Sequence, residues 1–334
     1  MTNLPSQQMP PCTGIVQLST FNFQPSTDLM SRARFLLFPL LLLALLASAA
    51  SAQVRTFVAS TGSDANPCSR LAPCRTFQAA VNAAAPGGEV VALDSAGFGS
   101  NVSITKSISI VAAPGVYAGI TALSSDGVDI NAGAQDTIVL RGLTVINQGS
   151  TGNGITFNTG GTLHVESCVV NGFASGGGVT FSPSGSSDLE VKDSIMRGNG
   201  RGINISGSAQ AAIDHVRLEQ GGIGLAAADG ATVTVRNSVA SGNLNGFFAI
   251  STTSLSAELN IESCVASNSL TSGIRASNSS TGVATVRVSN CTVTDNHFGL
   301  DNQASLAVVL SRGNNTVEGN VTNTNGTIGS YTAK

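Results

Sequence analysis

The octapeptide LNIESCVA at residues 259–266 alternates aliphatic and other residues on both sides of one turn-prone position. The phrase recurs as LHVESCVV (163–170), LEVKDSIM (189–196), AIDHVRL (212–218), VTVRNSVA (233–240) and VRVSNCTV (286–293), with IVLRGLTV (138–145) before it and a degenerate VVLSRGNN (308–315) after it. Successive copies lie 22 to 27 residues apart, counted at Leu143, Cys168, Ser194, Val216, Ser238, Cys264, Cys291 and Gly313. A short strand repeated at this period predicts an all-β solenoid of stacked coils.

The alternation within each copy assigns its side chains to the core or to the surface. In the copy at 163–170, Leu163 and Val165 point inward, Ser167 occupies a bend, and Cys168 and Val170 point inward after it. Most residues of the bend column accept a left-handed or Asx-turn conformation: Gly142, Ser167, Asp193, His215, Asn237, Ser263, Asn290 and Arg312. A second corner repeats Asn-x-x-Gly, and we expect its amides to hydrogen-bond the neighbouring coil as a ladder: Asn199, Asn243 and Asn296.

The composition restricts the fold and the partners. Only 10% of residues are charged and 4% aromatic, Trp is absent and Gly numbers 38, so a helical bundle is excluded. The net charge of −3 argues against nucleic acid as a partner. One helix is predicted at 75–85, between strands at 55–60 and 89–93, and it ends at Pro86. An amphipathic helix before many short strands is expected to cap the first coil.

The N-terminal region has the pattern of an export signal. Met30, Arg32 and Arg34 precede an apolar run, and Ala50-Ser51-Ala52 matches a cleavage pattern, so 30–52 is predicted to be a signal peptide. A membrane anchor is the alternative, but the apolar run is short for a span. Residues 1–29 are either unstructured or a misassigned start. We therefore expect a secreted or periplasmic protein without stable membrane insertion after signal removal.

The mature chain divides into two predicted parts, and its oligomeric state stays open. Residues 53–99 hold the first strand, a loop and the cap helix, and 100–334 form the β-helix. Export makes disulfides possible, and we expect Cys68 and Cys74 to pair across the loop CSRLAPC.

The cap phrase TFQAAVNAAAPGGEVV (76–91), the coil phrase V-x-N-S/C-x-V and the corner N-x-x-G-I resemble the right-handed parallel β-helix, or pectin-lyase-like, superfamily. The resemblance covers about 55–325 and is greatest to secreted bacterial β-helix proteins of unassigned function. It implies a single β-helix of about nine coils, roughly 45 Å long at about 4.8 Å per coil. In the superfamily's lyases and hydrolases, carboxylates and Arg or Lys on neighbouring coils form a site on an outward sheet face.

One outward column alternates in charge from coil to coil: Arg141, Glu166, Lys192, Asp214, Arg236, Glu262 and then Ser289. We interpret this charged column as an ion ladder that sets the register of the coils. The alternative is a catalytic cluster of Glu190, Lys192, Asp214 and Arg236, with His164, His215 and Arg287 nearby. The alternation neutralises the carboxylates, which favours the ladder, and a calcium-assisted lyase needs clustered carboxylates.

Other residues that could carry chemistry are predicted to have structural roles instead. Gln135-Asp136-Thr137 resembles the QDT tripeptide of pectin methylesterases, but the accompanying segments and any Trp are missing, so Asp136 is predicted to be a turn residue. The three histidines lie on different columns, and neither a metal site nor a cofactor is predicted. Cys264 and Cys291 share an inward column, where small core residues are favoured over a disulfide. An inward thiol is an improbable nucleophile.

These features favour a secreted β-helix that acts as a structural or glycan-contacting surface module without a complete catalytic set. The alternative is a polysaccharide lyase, glycoside hydrolase or carbohydrate esterase with a divergent site on an outward sheet face. An adhesin or passenger fragment is a third hypothesis. The expected partner is a polysaccharide or cell-surface glycan.

Overall fold

Each copy of the repeat folds into one turn of a parallel β-solenoid. The computed structural model describes residues 53–332. Its twelve-stranded sheet A contains β1 (Gln53–Val58), β2 (Ala84–Ala92), β5 (Ile108–Ala112), β8 (Thr137–Arg141), β11 (Thr162–Glu166), β14 (Ser187–Lys192), β17 (Ala209–Asp214), β20 (Thr232–Arg236), β23 (Ala257–Glu262), β26 (Ala284–Ser289), β29 (Ala307–Ser311) and β32 (Ile328–Ser330). The predicted signal peptide and the segment before it lie outside the described residues.

Two further sheets complete every turn, and neighbouring strands pair in parallel. Sheet B contains β3 (Ala96–Gly97), β6 (Ala118–Ala122), β9 (Leu143–Asn147), β12 (Val169–Asn171), β15 (Ile195–Arg197), β18 (Arg217–Glu219), β21 (Val239–Ser241), β24 (Val265–Ser267), β27 (Thr292–Thr294) and β30 (Thr316–Val317). Sheet C contains β4 (Val102–Ile104), β7 (Val128–Asn131), β10 (Ile155–Thr159), β13 (Gly177–Phe181), β16 (Arg201–Ile205), β19 (Ile223–Ala228), β22 (Asn245–Ser251), β25 (Ser272–Asn278), β28 (Phe298–Asn302) and β31 (Thr322–Asn325). Sheets B and C have ten strands each, one per turn, which confirms the predicted solenoid of about nine coils.

Stacked aliphatic columns fill the interior of the solenoid. Leu140 aligns with Val165, and Val165 with Val191, in successive strands of sheet A, and all three side chains are buried. Phe157 and Phe181 stack across two coils of sheet C with ring centroids 4.4 Å apart. These side chains fill the space between the sheets, so the predicted inward positions are confirmed. Burial of apolar area at every coil is the main source of stability.

The N-terminal coil is covered by one helix, α1 (Phe77–Ala83). Thr76 caps it, because its side chain accepts the N–H of Ala79. The helix ends before the predicted residue 85, since Ala84 is already extended and pairs with Gln53 of β1. α1 packs against β1, β2 and β4. No helix in the described part of the chain has both the length and the apolar character needed to cross a membrane.

The bend between sheets A and B uses left-handed backbone at one position per coil. The φ angle is positive at seven of the eight predicted residues, for example 52° at Ser167, 52° at His215 and 53° at Asn290. The eighth prediction, Arg312, is wrong, because Gly313 takes the positive φ of 82° in the degenerate last copy. A side chain costs energy in this region while glycine does not, which accounts for the shift to Gly313.

Asparagine amides tie the second corner to the preceding coil, as predicted. Asn243 Oδ1 accepts the N–H of Gly221 at 2.9 Å, and its Nδ2 donates to the carbonyl of Leu218 at 2.9 Å. Asn199 and Asn296 make the same two bonds to their own preceding coils. A continuous ladder of stacked amides is not formed, because Gly221 and Ser269 occupy the corner in alternate coils.

Candidate functional site

The outward face of sheet A carries the predicted charged column. Glu166 aligns with Arg141 on one side and Lys192 on the other. Lys192 aligns with Asp214, and Asp214 with Arg236. The column continues through Glu262 to Ser289. The predicted register is therefore confirmed at every step.

The continuous ion ladder expected from this register is not formed. Arg141 and Glu166 are the one neighbouring pair of the column in contact within residues 53–332, with Nε and Oε2 2.7 Å apart. The Asp214 carboxylate instead contacts two bend residues: Asn237 Nδ2 donates to it at 2.9 Å, and His215 Nδ1 lies at 3.1 Å. Exposed charges gain little from pairing, so a nearby bend side chain competes successfully for the carboxylate.

The four candidate catalytic residues do not converge on one point. Lys192, Asp214 and Arg236 follow one another in the charged column, whereas Glu190 lies in the next column and aligns with Ala212. The hydrogen bond from Asn237, together with His215 and Arg236, holds the pKa of Asp214 below its usual value. A carboxyl with a lowered pKa stays ionised and is a weak general acid or base near neutral pH.

Of the residues expected beside this cluster, His164 and His215 each contact one of its carboxylates, whereas Arg287 lies away from it. His164 Nδ1 lies 2.9 Å from Glu190 Oε2, so these two side chains form a pair of their own. Arg287 was expected nearby, but it lies three strands from Asp214, on β26, and contacts Glu258 at 2.6 Å. The prediction that it lies near Asp214 is therefore wrong. Neighbouring strands of a sheet are about 4.8 Å apart, so three strands place the two residues well out of contact.

A shallow groove lies beside the charged column on sheet A. It has a volume of about 490 Å³, and we call it the sheet-A groove, lined by Thr162, His164, Asp188, Leu189, Glu190, Gln210, Ala211, Ala212, Thr232 and Thr234. Ala212 aligns between Glu190 and Thr234, and its small side chain leaves a depression in the outward face. Of the four candidate catalytic residues, Glu190 alone lines the groove.

The groove presents hydrogen-bonding groups suited to a polyhydroxylated ligand. Thr162, Thr232 and Thr234 offer hydroxyls and Gln210 offers an amide. Asp188 and Glu190 add acceptors, and no Lys or Arg lines the groove. A larger cavity of about 620 Å³, formed by residues 302–310 and 326–329, has no charged lining side chain. That cavity offers Asn302, Gln303, Ser305 and Thr327, whereas the sheet-A groove adds two carboxylates to its hydroxyls and amide. We take the sheet-A groove as the stronger candidate, because its polar groups are more varied.

The sequence did not identify most of the groove. Asp188, Gln210 and Thr232 lie four residues before the charged column in their respective strands and align with one another across three coils. The same period-2 alternation that located the charged column could have located this one. Ala212, the residue that creates the depression, carries no chemical signal.

Asp136, from the QDT tripeptide, is a turn residue, as predicted. Its carboxylate accepts the Ser107 hydroxyl at 2.6 Å and the Gly133 N–H at 2.7 Å. The Ser107 hydrogen bond is the largest cause of its lowered pKa. These bonds close the loop before β8.

The cysteines divide into one bonded pair and three buried thiols. Cys68 and Cys74 are joined by a disulfide, with Cα atoms 4.6 Å apart. Cys264 and Cys291 are free, and the N–H of Cys264 donates to Cys291 Sγ at 3.4 Å. Burial raises the pKa of Cys168 to about 11. The three inward thiols therefore serve as small core residues.

Metal-binding geometry is not found in the described residues: no three or more His, Cys, Asp or Glu side chains are grouped to hold an ion. Two histidines have structural contacts instead. His215 occupies the bend with positive φ, as predicted, and His297 packs edge-on against Phe298 with ring centroids 4.5 Å apart.

Comparison with known proteins agrees with this geometry. The crystal structure of pectate lyase Pel9A is similar, with a TM-score of 0.55 and 18% sequence identity over 76% of this chain and 78% of that one, and this likeness concerns the fold. No curated protein matches the sequence significantly. The family model described as right handed beta helix region matches residues 153–322. With half of its length matched and the solenoid described above, the chain belongs to the right handed beta helix region family.

Proposed function

We propose that the chain is an exported, non-catalytic surface module that contacts a neutral polysaccharide along the sheet-A groove. The observation that carries this proposal is the groove itself, an open depression across several coils with hydroxyls, an amide and carboxylates on its walls. An open, elongated contact favours a polymer over a small enclosed ligand, since small ligands bind in pockets that bury most of their surface.

The charge of the residues that line the groove favours a neutral polymer as the ligand. Asp188 and Glu190 line the groove, and His164 is the one basic type among the lining residues. A uronate polymer would bring further carboxylates against these two, which raises the free energy of the complex. The structural neighbour is named a pectate lyase, and the proposal for this chain departs from that acidic substrate.

The proposal that the protein is non-catalytic is based on the state of the two candidate carboxylates, Asp214 and Glu190. Asp214 is held ionised by Asn237 and His215, and Glu190 is paired with His164. General acid catalysis by a carboxyl requires a pKa raised toward the working pH. The proposal does not depend on the fold, because one fold hosts many activities.

The test measures binding and cleavage together. The purified chain is incubated with neutral and acidic polysaccharides, and bound polymer, unsaturated uronates, reducing ends and methanol are measured. We expect binding to a neutral polymer without products. Ala212→Gln fills the depression and should weaken binding about tenfold or more, which corresponds to about 1.4 kcal/mol. Thr292→Gln, on the exposed face of sheet B, is the matched control and should bind normally.

Two results would overturn the proposal. Product release that is lost in Asp214→Ala or Glu190→Gln would establish an enzyme of the lyase, hydrolase or esterase type. Unchanged binding in Ala212→Gln would move the contact away from the groove. A melting curve for each variant separates loss of binding from loss of the fold.

A further inference from the structure

A second polar depression lies on the outward face of sheet C. It has a volume of about 470 Å³, and we call it the Arg201 notch, lined by Asn153, Ser175, Gly176, Gly177, Thr180, Gly200, Arg201 and Asn204. Gly177 of β13 aligns with Arg201 of β16, and Thr180 aligns with Asn204. Gly177 has no side chain, so the outward column is interrupted beside the Arg201 guanidinium.

The wall of the notch opposite Arg201 is held by hydrogen bonds. Asn153 Oδ1 accepts the N–H of Gly177 at 2.7 Å and the hydroxyl of Thr180 at 3.0 Å. Asn153 Nδ2 donates to Thr156 Oγ1 at 3.0 Å. A Cβ atom added at Gly177 would overlap Thr180 Oγ1, so the interruption is built into the local packing. A preformed wall lowers the cost of ordering a site around a ligand.

Arg201 brings a positive charge with no carboxylate partner in the described chain. Its Nη1 donates to Asn204 Oδ1 at 3.2 Å, and the other N–H groups of the guanidinium make no hydrogen bond to residues 53–332. By contrast, Arg197 and Arg217 share the Glu219 carboxylate. An unpaired guanidinium is a planar fork of donors that matches an oxyanion.

The residues that line the notch carry no negative charge of their own, since none of them is acidic. The Asp126 carboxylate contacts the wall at Asn153, where it accepts the backbone N–H at 2.6 Å and Nδ2 at 3.4 Å. The Asn204 Oδ1 atom faces Arg201, so its Nδ2 is available as a second donor. The charge of the notch is therefore positive, unlike that of the sheet-A groove.

We propose that the Arg201 notch binds the oxyanion group of an anionic sugar: a carboxylate, a sulfate ester or a phosphate ester. The guanidinium makes two parallel hydrogen bonds to two oxygens of the group, and Asn204 Nδ2 donates to one of them. The sugar ring lies in the notch beside Gly176, Gly177 and Gly200. This site is separate from the sheet-A groove, and it goes beyond the proposed contact with a neutral polymer.

The experiment follows the arginine Nε–H resonances of the purified chain by NMR during titration with glucuronate, glucose 6-sulfate, glucose 6-phosphate and glucose. We expect a saturable shift of the Arg201 resonance with at least one anion and none with glucose. Arg201→Gln should weaken that binding about tenfold, equivalent to about 1.4 kcal/mol. Arg201→Lys should have an intermediate affinity, because it keeps the charge and loses the fork.

Controls separate this site from the groove. Arg312→Gln removes an exposed arginine elsewhere and should leave the titration unchanged. Arg201→Gln should also leave neutral polysaccharide binding intact, so the two proposals fail independently. The three anions identify the group that is recognised, and equal shifts with all three support a general oxyanion site. No saturable shift with any anion, an equal response to glucose, or unchanged binding in Arg201→Gln would overturn the proposal.

Discussion

At the scale of single residues, buried amides connect the coils through their backbone atoms. Asn243 is 1% exposed and satisfies one N–H and one carbonyl of the preceding coil. The Leu218 carbonyl is buried and the Gly221 N–H is partly buried, and an unpaired polar group shielded from water is costly. The residue therefore acts by completing hydrogen bonds that the strands cannot make at a corner.

We expect Asn243→Ala to lower the free energy of unfolding by about 2 kcal/mol, because it leaves a buried carbonyl and a partly buried N–H unpaired. Urea denaturation measures the change. Asn171→Ala, at an exposed position of sheet B, is the control and should stay within about 0.5 kcal/mol of the parent. Equal stabilities of the two variants would show that water replaces the amide at the corner.

Asp214 predicts a pH dependence. Its folded-state pKa is lowered by the Asn237 hydrogen bond, then by His215 and Arg236. Its contribution to stability is therefore complete above the unfolded-state value of 3.8 and is lost as the pH falls through the lower folded-state pKa. We expect the stability advantage of the parent over Asp214→Asn to disappear at the acidic end of unfolding curves recorded from about pH 2.5 to about pH 6. An advantage that persists unchanged at the lowest pH would contradict this assignment.

At the scale of the strand and its bend, the repeated residue types predict backbone conformation and side-chain direction but not side-chain contacts. The bend column was predictable because each copy places Gly, Ser, Asn, Asp or His where φ must be positive. The charged column was predictable in register, since period-2 alternation assigns faces. Contacts of exposed side chains were not predictable, because Asp214 selects among Arg236, His215 and Asn237 by geometry that no spacing encodes.

The sheet-A groove was hidden for a different physical reason. Its depth comes from the small side chain of Ala212 between longer neighbours, and alanine is common in such chains. The Arg201 notch likewise lies where glycines line the surface, at Gly176, Gly177 and Gly200. A depression is a difference between adjacent coils, so it becomes visible when the strands are aligned in three dimensions.

The bend can be tested at Ser167, whose φ is 52°. Ser167→Val should lower the free energy of unfolding by about 1–2 kcal/mol, because left-handed backbone is unfavourable for a β-branched residue. Ser167→Gly should not destabilise the protein, since glycine adopts this region freely. Thermal and urea unfolding of the pair measure the difference. Equal stability of the Val and Gly variants would contradict the backbone account.

At the scale of the whole molecule, stability is approximately the sum of coil contributions and of the contacts between successive coils. The charged column adds to these local contacts, because a shift by one coil would place like charges beside each other. Each exposed contact is worth about 0.2–1 kcal/mol, so the column affects the choice of register more than total stability.

We expect Asp214→Lys to lower the melting temperature at low salt, because it adds a third positive charge between those of Lys192 and Arg236 on successive coils. The loss should shrink near 1 M salt, where screening acts within about 3 Å. Thr292→Lys, whose strand neighbours are Val265 and Thr316, is the control and should show no salt-dependent loss. A loss that is equal at both salt concentrations would assign the effect to packing.

The alternation along the charged column also bears on how such a rod can change its length during evolution. Loss of the single coil that contains Asp214 would bring Lys192 beside Arg236, and loss of the next coil would bring Asp214 beside Glu262. Removal of both coils would leave Lys192 facing Glu262, an opposite pair. We therefore expect tandem duplications and deletions to be tolerated better when they add or remove an even number of coils, because opposite charges then remain neighbours in this column.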